Sequence, residues 1–153
     1  MLLRINSMVK ALTLCVAVLF LTLPIQAAEK AVPALTISDA IFKVMPPGRS
    51  MTAGYMLLTN NSGETQVLTA LRSDSAERVE LHEHAHVNGM MKMRKVDQLS
   101  IADGESVELT PGGYHLMLFG VKEGLGLDDT MDIELQLESG KSVIVNAKAS
   151  SFK

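Results

Sequence analysis

From residue 35 onward, apolar and polar positions alternate with a period of two in short runs, and the runs are separated by glycine, proline, asparagine and serine. That period puts successive side chains on opposite faces of a strand, whereas helices repeat every 3.6 residues. Residues 35–44 form the first extended segment, closed by Met45-Pro46-Pro47-Gly48. Residues 52–59 lead into Asn60-Asn61-Ser62-Gly63, and residues 65–71 return. Asp74-Ser75-Ala76-Glu77 reads as the cap of a single helical turn. Residues 78–86 and 90–96 flank Asn88-Gly89, residues 106–109 precede Pro111-Gly112-Gly113, and residues 114–119 follow that turn. Near the end, residues 131–138 alternate almost without fault, Ser139-Gly140 turns, and residues 142–147 run back. No long amphipathic helix, internal repeat or low-complexity stretch interrupts the pattern. Short strands at this spacing predict an all-β Greek-key β-sandwich in one domain. Residues 120–130, with three glycines and an acidic end, are the expected mobile loop.

The same alternation sorts side chains by face. In residues 78–86, Val79 and Leu81 point inward while His82, His84 and His86 point outward. If Asn88-Gly89 is a tight two-residue turn, positions summing to 177 pair across the hairpin. His84 then lies opposite Met93, His86 opposite Met91, and His82 diagonally beside Met93. Downstream, Tyr114, Leu116 and Leu118 share one face, leaving His115, Met117 and Phe119 on the other. All four histidines and four of the ten methionines fall between residues 78 and 120.

The N-terminus follows a different logic. Arg4 and Lys10 form a weakly basic start, residues 11–23 are apolar, and Pro24-Ile25-Gln26-Ala27-Ala28 ends in small residues. This is the layout of a cleaved secretory signal, expected to cover residues 1–28, with removal after Ala27 or Ala28 and a β-sandwich domain over 29–153. The apolar run is short for a membrane span, which takes about 20 residues. The single cysteine, Cys15, follows Leu14 rather than the small residue a lipoprotein signal favours, and it would leave with the signal. An exported chain without cysteine has no disulfide, no thiolate nucleophile, no thiolate zinc site and no blue-copper centre, which needs a Cys ligand. Loss of Arg4 and Lys10 would move the formal charge from −3 to −5. Such a balance offers nothing to nucleic acid.

A methionine in a β protein is usually core filler, its burial stabilising by about 1.5–3 kcal/mol. Met56, Met131 and Met45 fit that role. Met93 and Met117 do not, because the alternation sets them opposite the apolar residues of their own strands. Three histidines at every second position of one strand, with a fourth beside an outward methionine, likewise exceed what a solvated surface calls for. Thioethers are soft, uncharged donors that favour Cu(I) over Zn, Mg or Ca, and imidazole serves either copper state. Two His and two Met bring no formal charge, which suits a monovalent ion. His84 and His86, together with Met91, are auxiliary candidates for a weaker Cu(II) site or a handover step, or else are solvated surface residues.

The spacing His82, ten residues, Met93, twenty-one residues, His115, one residue, Met117 resembles the H-x10-M-x21-H-x-M signature of the periplasmic copper chaperones called PCuAC. The flanks Val79-Glu80-Leu81-His82-Glu83, Gly89-Met90-Met91-Lys92-Met93-Arg94 and Pro111 to Leu118 are similar to that family, as is Gly54-Tyr55-Met56-Leu57-Leu58-Thr59-Asn60. The resemblance implies a cupredoxin-like β-sandwich with His82, Met93, His115 and Met117 as Cu(I) ligands. It further implies delivery of copper in the periplasm toward the binuclear centre of cytochrome c oxidase, alongside a Sco-type assembly protein. Some members carry a His- and Met-rich C-terminal tail, but residues 146–153 here contain neither type. Two rival functions use the same residues. One is a periplasmic copper buffer with no dedicated recipient. The other is a small copper redox enzyme, which would draw on the His82-His84-His86 run. The sequence holds no phosphate loop and no recognisable Ser-His-Asp arrangement, so a non-enzymatic carrier is the expected function.

Overall fold

The computed structural model describes residues 33–87 and 90–152, with the side chains of His86 and Val87 left aside. The expected signal and its cleavage point lie outside the described residues. The described residues form ten strands: β1 (Thr36–Lys43), β2 (Met51–Thr59), β3 (Gln66–Arg72), β4 (Arg78–Val87), β5 (Met90–Lys95), β6 (Leu99–Ile101), β7 (Ser106–Leu109), β8 (Tyr114–Phe119), β9 (Thr130–Leu137) and β10 (Ser142–Ser150). They form one sheet in the order β5-β4-β8-β2-β1-β10-β9-β3-β6, with β7 beside β2. The Leu71 to Val79 pairing between β3 and β4 folds this sheet back on itself, so that it closes around a core like a barrel or sandwich. The fold is all β among the described residues, as the alternation predicts.

β1 joins the two halves, running antiparallel to β2 and parallel to β10. One extra residue between Ser38 and Ile41 makes this possible, and Asp39 there adopts a φ of 53°. A bulge changes which face later residues occupy, and Asp is among the side chains that tolerate the left-handed region. Ala40 and Phe42 are thereby turned into the core. Around them pack Met56, Leu58, Leu81, Leu116, Leu118, Met131, Ile133 and Leu135, all buried. Met56 and Met131 are core filler as expected, while Met45 is only half-buried.

Two local expectations need correction. Residues 74–77 form a turn rather than a helical turn: the Ser75 N–H donates to Ser73 Oγ at 3.2 Å and the Ala76 N–H to the Ser73 carbonyl at 3.3 Å. Ser73 competes for the backbone donors that a helix would need, and β4 begins at once. The three-residue β6 went unforeseen, since Leu99 and Ile101 alone carry its inward face. It is held by pairing to β3 and by buried Asn60, whose amide donates to the Ile101 carbonyl at 2.8 Å.

Leu116 sits between His115 and Met117 but faces the core with no exposure. Leu116→Ala is expected to lower stability by about 2–5 kcal/mol, whereas Ile144→Ala, at a residue 68% exposed, should change it by about 0.5 kcal/mol or less. Urea unfolding of the two variants side by side checks the difference.

Candidate metal centre

Three neighbouring strands, β5, β4 and β8, build the site face. Register places it: β4 pairs with β5 as His84 to Met93, His86 to Met91 and Val87 to Met90, the 177 pairing expected from the sequence. β4 pairs with β8 as His82 to His115 and Glu80 to Met117. Because Val79, Leu81, Leu116 and Leu118 are buried in the core, the residues between them must emerge on the other face. Glu80, His82 and His84 therefore share that face with Met93, His115 and Met117. The four candidate ligands are gathered from three strands onto one surface, with Met93 and Met117 as diagonal neighbours of His82.

Their environments differ. His115 is 3% exposed although it lies on the outer face, because the rings of His82 and His84 cover it, with centroids 6.1 Å and 5.0 Å away. Met93, on the outermost strand, is 48% exposed and Met91 is 52% exposed. Phe119 closes one side, its ring centroid 6.3 Å from that of His82, and the Arg78 guanidinium lies over it at 4.3 Å.

The ring nitrogens are already sorted. His115 Nδ1 lies 3.0 Å from the Gly113 carbonyl, so it carries the proton and donates it there. His115 Nε2 is then the lone-pair nitrogen, and it is buried without a hydrogen-bond partner. His82 Nε2 lies 2.8 Å from Glu80 Oε2, while its Nδ1 is buried and unpartnered. Buried polar atoms normally find partners. Here each imidazole is fixed through one nitrogen by a carboxylate or carbonyl, leaving the other free, as in histidines whose second nitrogen binds a metal. The His82 hydrogen bond, followed by nearby Arg78 and Lys95, holds the Glu80 carboxyl below the usual range against the opposing effect of burial. Its Oε1 lies 3.2 Å from Arg78 Nε and 3.9 Å from Lys95 Nζ.

Glu80 and the Gly113 carbonyl are site components that the sequence reading missed. Alternation places Glu80 on the histidine face two residues before His82, which is the signal that could have singled it out. His84 is on the face as expected, and its Nδ1 is also buried without a partner. His86 is placed by its backbone pairing to Met91 alone. Among the described residues, no three His, Cys, Asp or Glu side chains are grouped to hold a metal ion. A metal held here as the side chains stand would need sulfur donors beside the imidazoles.

The all-β architecture of the described residues is that of PCuAC domains. The chain belongs to the PCuAC-related family described as "Putative lipoprotein LpqE-like", whose model matches residues 35–149. It is 30% identical over 103 residues to the uncharacterized protein RP573 of Rickettsia prowazekii, a match covering 67% of this chain and 57% of that one. The chain spans between 57% and 66% of the length of the curated relatives it matches. Among solved structures, Cu(I)-DR1885 from Deinococcus radiodurans is 32% identical, with a TM-score of 0.63, covering 81% of this chain and 83% of that one. The copper-bound PCuAC domain from PmoF2 shares the fold at 19% identity, with a TM-score of 0.65, covering 80% of this chain and 97% of that domain.

Burial lowers the His115 imidazole from its ordinary value of 6.5, outweighing the Gly113 bond that raises it. The unfolded chain therefore takes up this proton at higher pH than the folded one. The stability this supplies is complete above pH 6.5 and is lost as pH falls through the folded value. Urea midpoints of the metal-free protein should decline from pH 7.5 to 5, and His115→Gln should flatten that slope.

Proposed function

We propose that this chain is an exported copper carrier that binds one Cu(I) through His82, Met93, His115 and Met117. The observation that carries this is the pair of buried, unpartnered nitrogens, His82 Nδ1 and His115 Nε2, on directly paired residues of β4 and β8. Each ring is already oriented by its other nitrogen, and two thioethers flank the pair. Two neutral imidazoles and two thioethers are a donor set for monovalent copper. The 32% likeness to a protein solved with Cu(I) supports the same cargo here.

The mechanism is exchange rather than turnover. Glu80 and the Gly113 carbonyl hold the two rings in place, so binding costs little reordering. The exposed side of the site lets a recipient's donors approach before the first set has let go, and copper need not be released as a free ion. A recipient with stronger ligands, such as thiolates, draws the ion onward. The recipient we infer is the copper-centre subunit of cytochrome c oxidase or a Sco-type assembly protein, in the periplasm. The lipoprotein description of the family supports export, and among the described residues no helix is long and apolar enough to cross a membrane.

Anaerobic titration against a Cu(I) chelator tests the site. Met93→Ala/Met117→Ala should weaken Cu(I) at least tenfold, or about 1.4 kcal/mol; unchanged affinity would remove the thioethers from the site. Affinity should also fall from pH 7 to 5, because protonated imidazole cannot bind a metal. The lowered His115 value moves that residue's share of the loss toward the acid end. Copper leaving the loaded protein only when an apo oxidase domain is added would mark a courier. Retention in its presence would mark a buffer.

A further inference from the structure

His84 is not used by the four-ligand reading, yet its surroundings are unusual. It lies directly across from Met93 on one side, and its N–H donates to the carbonyl of Gly113, just before β8, at 3.3 Å on the other. The His84 ring leans toward β8. There it stacks on His115, with centroids 5.0 Å apart and planes inclined by 27°. A histidine kept only for packing would be expected to satisfy its buried nitrogen. His84 Nδ1 is buried without a partner, as are His82 Nδ1 and His115 Nε2.

We propose that His84 is a third nitrogen donor of this face, so that His82, His84 and His115 together take Cu(II). The inference rests on the face being a copper site and extends it to the second oxidation state. Cu(II) favours imidazole nitrogen and gains little from thioether sulfur, so it would select the nitrogens where Cu(I) selects the mixed set. The three side chains are not grouped for a metal as they stand, so Cu(II) would have to draw the three rings together. A carrier built this way keeps hold of its cargo when the metal is oxidised.

The test uses the purified protein, Cu(II) supplied from a weak chelator, and pulsed electron paramagnetic resonance to count bound imidazoles. The parent protein is expected to show three. His84→Ala and His84→Gln should each show two and bind Cu(II) at least tenfold more weakly, with circular dichroism verifying that both are folded. Fewer than three imidazoles in the parent, or three retained in both variants, would overturn the proposal. So would loss of the third in His86→Ala instead. The Met93→Ala/Met117→Ala pair separates this from the Cu(I) site: it should keep all three imidazoles on Cu(II) while its Cu(I) affinity falls. Unchanged Cu(I) affinity in that pair would count against the Cu(I) ligands alone.

Discussion

The register between β4 and β8 is the constraint on which the rest of the site depends. Pairing His82 with His115 places two imidazoles side by side although 32 residues separate them along the chain. A slip of one residue in either strand would turn its histidine toward the core and invert every buried position of that strand. Val79 and Leu81 on β4, with Leu116 and Leu118 on β8, make that slip costly, because all four are buried. The core thus fixes the outer face: the same alternation that buries leucine presents histidine.

That coupling explains why so much was legible in the sequence. Read from the sequence, Asn88-Gly89 between two alternating runs predicts the β4–β5 pairing, and the observed partners His84–Met93 and His86–Met91 agree with it. Pro111-Gly112-Gly113 set the start of β8. What escaped was either too short to show a period or depended on contacts between distant segments. β6 has three residues and owes its existence to β3 and Asn60. The turn at Ser73 depends on a hydroxyl competing for backbone donors. The β1 bulge hides two strand phases inside what reads as one segment, and only the partners β2 and β10 expose it.

The site was legible as a set of donors but not as a set of hydrogen bonds. Residue types and spacing indicate which side chains share a face, but they do not indicate which ring nitrogen is occupied. Glu80 resolves this for His82 and the Gly113 carbonyl resolves it for His115. In each case the bound nitrogen orients the ring and the other is left with its lone pair. These supporting groups are as much a part of a metal site as the ligands. Glu80 also ties the site to Arg78 and Lys95, balancing a carboxylate that would otherwise add charge beside the candidate ligands.

Exposure is graded across the three strands, and the gradient bears on how the proposed transfer would proceed. His115, on β8, is 3% exposed, whereas Met93, on β5 at the end of the strand order, is 48% exposed. An edge strand invites unwanted pairing, and charged side chains discourage it. Lys92, Arg94 and Lys95 line β5, Arg94 held by Glu83 and Lys95 near Asp97. Such an edge remains open to a specific partner without offering a bare apolar strand. A recipient arriving from that side meets the thioether of Met93 first, the weaker class of donor, and reaches the buried imidazole of His115 last. Ligand exchange ordered in this way keeps the ion bound by nitrogen until new donors are in place, which is the requirement a copper carrier has to meet.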